Sequence, residues 1–196
     1  SCGKSFVIDP FISIKKPKNV IIIVPTLALT DETRRRLYKK FSKDYKIITT
    51  PEVEIADKNI FIFPQERAVS YISKLESVDI LIIDEFYKAS INFDKDRAPI
   101  LLKAILELSK KSKQKYFLAP NISSLKESPF TDGMEFLHLD FNTVFLEKHE
   151  LYRYRDASDK NFKRNQLIEI LGKKKTKTLI YAGTFTNIDE ITNILR

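Results

Sequence analysis

Cysteine is almost missing: Cys2 is the single one among 196 residues, so no intrachain disulfide can form, and a reducing compartment fits the composition. Glycine and proline number only 4 and 8, which excludes collagen-like and low-complexity chains. Long apolar runs are also absent. Val20–Val24 and Ile80–Ile83, among the longest, fall far short of the ~20 residues a membrane-spanning helix needs. The expectation is a soluble, cytoplasmic chain with no membrane partner. Ser1 is not an initiator Met, and the residues after it lack the charged-then-apolar order of a signal peptide, so the start is read as a cut end.

What is present is 43% hydrophobic and 31% charged residues, enough for one domain of ordinary size and the start of a second. Lys and Arg total 34 against 26 acidic residues, a net charge of +8. Such an excess favours polyanionic partners such as nucleic acid, although a well-solvated lysine-rich surface explains it equally well.

Short apolar β-branched runs recur at Val20–Val24, Asn59–Phe63, Ile80–Ile83 and Tyr116–Leu118, more weakly at Glu135–Leu139 and Val144–Leu146, and last at Thr178–Tyr181. Each precedes a turn and a stretch with helical spacing, the pattern of βα units around a parallel sheet buried on both faces. Thr30 can cap a helix that opens with Asp31 and Glu32 and closes on Lys39 and Lys40, the charge order the helix dipole favours. Leu37 and Phe41 would face the sheet. Further helices are expected over Glu66–Leu75 and Ala98–Lys111, the latter with Leu101, Leu102, Ile105 and Leu108 inward. Beyond residue 147 the chain turns polar until a helix through Leu167, Ile168 and Leu171 that Gly172 ends. The expected organisation is a first domain over 1–147, a linker and helix over 148–176, and a strand and helix over 177–196.

Two segments carry chemistry. Gly3-Lys4-Ser5 is the tail of G-x-x-x-x-G-K-[ST], in which backbone N–H groups at a helix start cradle phosphates, Lys reaches the β/γ-phosphates and Ser binds Mg²⁺. Alone it is a weak sign, since the tripeptide recurs by chance. Val78–Glu85 is a buried strand ending in two carboxylates, at the edge where open α/β sheets bind ligands. Asp84 there can hold Mg²⁺, and Glu85 can orient or deprotonate an attacking water. The bland alternative is a capping Asp beside a solvated Glu.

Ser1-Cys2-Gly3-Lys4-Ser5, Ile23-Val24-Pro25-Thr26-Leu27-Ala28-Leu29, Ile62-Phe63-Pro64-Gln65-Glu66-Arg67 and Ile82-Ile83-Asp84-Glu85-Phe86-Tyr87 follow the order of motifs I, Ia, Ib and II in superfamily 2 helicases. Residues 1 to about 125 thus resemble the first RecA-like domain of a DExD/H-box relative, and Thr178–Thr184 resembles motif IV at the opening of the second. Asp84–Lys88, with Leu118-Ala119-Pro120-Asn121-Ile122, is similar to bacterial helicase-like proteins associated with phage defence. The resemblance implies a three-layer α/β RecA-like P-loop NTPase fold with a mainly parallel central sheet. It also implies an ATP-dependent helicase or translocase motor that uses ATP and Mg. Gly3, Lys4 and Ser5 would bind nucleotide, Ser5 and Asp84 the metal, and Lys4, Asp84 and Glu85 would serve hydrolysis. Thr26, Gln65 and Arg67 would contact single-stranded DNA or RNA. A second RecA-like domain of the same parent would supply the arginine finger, so the fragment alone is expected to be inactive.

Two departures matter. Ala119-Pro120-Asn121 stands where many relatives carry Ser-Ala-Thr, so the hydroxyls held to couple hydrolysis to strand separation are missing. An ATP-controlled nucleic-acid-binding switch without unwinding is therefore the rival reading, and a P-loop phosphotransferase a third. Phe86-Tyr87 replaces the usual end of the box and is expected to pack near Asn121. Tyr152-Arg153-Tyr154-Arg155 interleaves aromatic and basic residues as single-strand binders do, as a solvated linker also can. His138 and His149 have no cysteine partner, so a zinc site is not expected. Lys110–Lys113 and Lys173–Lys177 are expected to be exposed helix ends.

Overall fold

Strands β1 (Asn19–Ile23), β2 (Lys46–Ile48), β3 (Asn59–Phe63), β4 (Val78–Ile83) and β5 (Ser112–Phe117) align in parallel in the order β2-β3-β1-β4-β5. The computed structural model describes residues 4–120, 122, 124, 128–138, 160–173, 178 and 180–195, the side chains of 4–7, 160 and 195 excepted. Helices α1 (Lys4–Lys15), α2 (Leu27–Phe41), α3 (Gln65–Tyr71) and α4 (Ala98–Lys111) alternate with the strands, and α5 (Lys160–Gly172) and α6 (Phe185–Leu195) follow. The chain divides into two compact units, Ser1–Thr143 and Val144–Arg196.

Side chains alternate across a strand, and here the alternation sorts the core in two. Odd-numbered residues of β1, β3 and β4 (Ile21, Ile23, Phe61, Phe63, Leu81, Ile83) pack with Ala68 and Tyr71 of α3 and Leu101, Ala104, Ile105 and Leu108 of α4. Their even-numbered neighbours (Val20, Ile22, Ile60, Ile62, Ile80, Ile82) pack with Ile8 and Ile12 of α1 and Leu37 and Phe41 of α2. The result is the expected three-layer α/β arrangement, with the inner strands buried on both faces. Asp9, nearly one turn before Ile12 and only 5% exposed, accepts hydrogen bonds from Arg36 and Lys40 and so ties α1 to α2.

The N-terminal edge of the sheet is closed by polar side chains. Buried Asn59 donates to Asn19 Oδ1 at 3.0 Å and to the Ala56 carbonyl at 2.7 Å. Asp79 accepts from the backbone N–H groups of Lys18 and Asn19 at 2.7 and 3.0 Å and from Lys113 Nζ at 2.7 Å. Burial pushes the Asp79 carboxyl up, but Lys113 and the two backbone donors together outweigh it and leave the group below its ordinary value. The folded carboxyl thus releases its proton more readily than the unfolded one. Its stabilisation is complete above the ordinary value near ~3.9 and is lost as pH falls through the lower folded value. Asp79→Asn should cost about 1–2 kcal/mol at pH 7, the partial exposure of the site reducing the range for charged hydrogen bonds. Urea melts should show the deficit shrinking below pH ~4; a constant deficit across pH would mean that shape, not charge, holds this edge.

Several expectations are corrected. The cap of α2 is Thr26, whose Oγ1 accepts from Leu29 N at 3.2 Å, whereas Thr30 is buried inside the helix and donates its hydroxyl to the Thr26 carbonyl at 3.0 Å. Lys113 lies in β5, not at a helix end, because α4 passes into β5 without a loop. Lys111 is likewise engaged, donating to the carbonyls of Ile72 and Leu75. Residues 134–138 form no strand: Phe136 and Leu137 are exposed, and no described strand pairs with them. Thr178, Ile180 and Tyr181 are also outside any strand, Tyr181 being 93% exposed, and the second unit offers no other strand among its described residues. Val144–Leu146, His149 and Tyr152–Arg155 lie outside the described residues, while His138 is exposed beside Phe136. No described helix is long and apolar enough to cross a membrane.

Candidate functional site

In a parallel sheet every strand points to the same edge, so the loops after β1, β3 and β4 share one rim. That rim carries Pro25-Thr26, Pro64–Arg67 and Asp84-Glu85. The helix α1 reaches the same rim from the other direction. It feeds β1 through residues 16–18, so its C-terminus sits at the opposite edge, and its 12 residues span ~18 Å at ~1.5 Å each, about the height of the sheet. Its first turn, at Lys4 and Ser5, is thereby directed toward the rim with its backbone N–H groups leading. Gly3 and the side chains of Lys4 and Ser5 lie outside the described residues.

Asp84 is fixed in place by its backbone. Its N–H donates to the Ile23 carbonyl at 2.9 Å, continuing the β1–β4 ladder one residue past the strand, and its Oδ1 accepts the Glu85 N–H at 3.0 Å. Glu85 takes the left-handed conformation, φ 56° and ψ 44°, which costs a residue with a Cβ about 1–2 kcal/mol. Backbone strain of this kind concentrates where function requires a particular side-chain direction. The turn that follows, Phe86–Ala89, is anchored to the end of β5: Phe86 N–H donates to the Leu118 carbonyl at 2.9 Å, and its ring stacks on Phe117 at 4.5 Å. Phe86 thus packs on the strand just before Asn121, which itself lies outside the described residues.

The three residues expected to touch nucleic acid are placed differently from one another. Thr26 is exposed, with its hydroxyl capping α2. Arg67 is half-buried and donates from Nη1 to the Thr49 carbonyl. Gln65 is 3% exposed, and its Oε1 has no hydrogen-bond partner among the described residues, so its side chain is not offered to a strand laid on the surface. Next to Arg67 an open groove of about 430 Å³ is lined by Thr50, Glu52, Pro64, Glu66, Arg67 and Ser70.

Sequence reading missed the residue that binds this rim together. Arg97, at the start of α4, donates from Nε and Nη2 to the two oxygens of Glu66 at 2.7 and 3.0 Å, and from Nη1 to the Pro25 carbonyl at 2.7 Å. Arg97 holds the Glu66 carboxyl below its usual range, and Glu66 in turn raises the guanidinium. Partners 31 and 72 positions apart leave no local pattern to detect. Asp94, which accepts the Arg97 N–H at 3.1 Å in the turn leading into α4, is the one local signal that could have pointed to this segment. Among the described residues no group of three or more His, Cys, Asp or Glu side chains could hold a metal ion.

No protein-family model matches the chain. It is 32% identical over 202 aligned residues to Anti-bacteriophage protein B of Escherichia coli K12, a match that covers 95% of this chain and 26% of that protein. The chain therefore spans about a quarter of the length of that relative. A solved structure, the Sulfolobus solfataricus SWI2/SNF2 ATPase core in complex with dsDNA, aligns with a TM-score of 0.46 and 19% identity over 61% of this chain and 26% of that one.

Proposed function

We propose that this chain is the first motor segment of an ATP-dependent helicase or translocase that acts on nucleic acid, within a protein of bacteriophage defence. The observation that carries the reading is the convergence on one rim of the α1 start, the Asp84-Glu85 pair, Thr26 at the cap of α2 and Arg67 in the first turn of α3. The name of the E. coli relative supports the defence context. In this reading Lys4 and Ser5, with the backbone of Gly3, would hold the phosphates and Mg²⁺, and Asp84 would help hold the metal. Mg²⁺ held there would neutralise phosphate charge. Glu85, turned by its left-handed backbone, positions the hydrolytic water and accepts its proton. The decisive experiment is ATP hydrolysis by the full-length protein with and without single-stranded DNA or RNA. Stimulation is expected; turnover indifferent to both polymers, with transfer to a small acceptor instead, would make the protein a phosphotransferase.

A second reading, a switch that binds nucleic acid under ATP control without unwinding it, draws on the end of β5. Where relatives have hydroxyls, this chain has Ala119-Pro120-Asn121, and the connection to the Asp84-Glu85 turn is made by the Phe86–Phe117 stack. Failure of an ATP-hydrolysing full-length protein to displace an annealed strand or move along a single one would favour the switch.

The 196-residue chain itself should bind single-stranded nucleic acid weakly and without sequence preference, because the rim offers backbone-type contacts and the net charge of +8 attracts any phosphate chain. With ~2–4 phosphates neutralised, log affinity against log salt should fall with a slope of about −1.4 to −2.8. Arg67→Glu should weaken binding and flatten that slope, whereas Lys43→Glu, exposed beyond the C-terminal end of α2 at the opposite edge, should do little. Equal losses would mean diffuse attraction and no defined track. Lys113 cannot serve as that control, since its reversal would set a carboxylate against Asp79.

A further inference from the structure

We infer that Arg97 is a positioning residue that locks the loop before Thr26 and the first turn of α3, which carries Arg67, into one phosphate-binding edge and joins that edge to the segment following Asp84-Glu85. The inference rests on the nucleic-acid reading above. Three features of the geometry carry it. Arg97 makes three side-chain hydrogen bonds to two different segments of the rim, all between 2.7 and 3.0 Å: two to Glu66 in the first turn of α3, one residue before Arg67, and one to the carbonyl of Pro25 in the loop after β1, one residue before Thr26. The planar guanidinium presents its donors in a rigid fork, so one side chain fixes the separation and the relative orientation of both segments. A lysine ammonium in its place cannot reproduce that fork.

Arg97 is held in turn from the nucleotide side. Residues 86–97 form a bonded run in which Phe93 and Asp94 donate to the Ser90 carbonyl at 3.0 and 3.2 Å, Tyr87 and Phe93 meet edge to face at 5.2 Å, and Asp94 accepts the Arg97 N–H. At its other end the run begins at Phe86, directly after Glu85. A change in the Asp84-Glu85 turn therefore has a continuous covalent and hydrogen-bonded route to both segments, and Arg97 is the point where the route divides. Positioning by Arg97 differs from a plain ion pair in one respect: the bond to Pro25 is to a backbone carbonyl, so charge alone cannot replace it.

The test compares the wild-type 196-residue chain with Arg97→Lys, Glu66→Gln, Arg67→Ala and the double variant Arg97→Lys/Arg67→Ala. Two readouts are used, amide hydrogen exchange without ligand and anisotropy titration of a fluorescent single-stranded oligo-dT. Losing one or two charge-assisted bonds predicts about tenfold faster exchange at Leu29, whose N–H reports the Thr26 cap, and about tenfold weaker oligonucleotide binding in Arg97→Lys. In that background Arg67→Ala should cost less than it does in the wild type, because the two segments no longer act at a fixed spacing. Unchanged exchange at Leu29 in Arg97→Lys would overturn the clamp whatever the chain binds. Faster exchange with binding losses that simply multiply would reduce Arg97 to a structural pin and overturn the positioning role. Faster exchange in a chain that never bound the oligonucleotide would show that the nucleic-acid reading had failed, and the positioning role with it, while the clamp's geometry held.

Discussion

Glu85→Gln should slow ATP hydrolysis by the full-length protein at least ~10²-fold, the lower range for a lost acid–base group, and leave ATP bound. The amide keeps the size of the side chain but cannot accept the proton of the attacking water. Asp84 and the α1 start, which hold metal and phosphate in the proposed site, are unchanged by it. A partner substitution separates chemistry from fold. Glycine adopts the left-handed conformation seen at Glu85 without steric cost, so Glu85→Gly removes about 1–2 kcal/mol of strain and returns about 0.5–1 kcal/mol of chain entropy to the unfolded state. Its melting temperature should match or exceed that of the wild type while hydrolysis is lost. If Glu85→Gln abolished nucleotide binding together with turnover, Glu85 would be a structural or metal-holding residue.

Lys4→Ala should abolish ATP-dependent activity and weaken nucleotide binding about 10- to 100-fold, the equivalent of one charge-assisted hydrogen bond in the ground state. Several described cations are already engaged elsewhere. Arg36 and Lys40 are bound to Asp9, Arg97 to Glu66 and Pro25, and Arg67 to Thr49. Titration with a fluorescent nucleotide alongside steady-state hydrolysis checks both parts. Lys15→Ala, exposed at the far end of the same helix, should match the wild type. Hydrolysis that survives Lys4→Ala would remove this lysine from the site.

The three inner strands were legible because burial on both faces requires uninterrupted apolar runs, and Asn59–Phe63 was bounded correctly for that reason, whereas β5, polar over Ser112–Lys115, was seen only at its end as Tyr116–Leu118. Helix α4 was found over Ala98–Lys111 because its inward residues repeat at helical spacing. β2 escaped notice, being three residues with an exposed Lys46, too short to show a period. The α2 cap was misplaced because acidic residues after Thr30 imitate a first turn, while the true first turn, Leu27–Leu29, follows Thr26 with no charge at all. The rim was legible as a set of motifs, and its interior was not. Gln65 looks like a surface residue in sequence yet is buried under the start of α3, and the Arg97–Glu66 pair exists only once the strands have brought distant loops together.

The same parallel order has a consequence for how the chain reaches its fold. β1 is the central strand, and its partners come late: Asn19 lies 40 positions before its β3 neighbour Asn59, and Asp79, at the start of β4, is 60 positions from Asn19. No hairpin can shelter it, and contacts of such high order close slowly. During synthesis at about 5–20 residues per second, Val20–Val24 waits at least ~2 seconds for the first strand that can pair with it. A segment so apolar, β-branched and uncharged is the kind that seeds cross-strand aggregation. Lys15-Lys16-Pro17-Lys18 stands one residue before it, with Asn19 between, and charge with proline at the border of such a run opposes pairing with the wrong chain. Part of the basic excess of this protein therefore serves the nascent chain before any ligand is met.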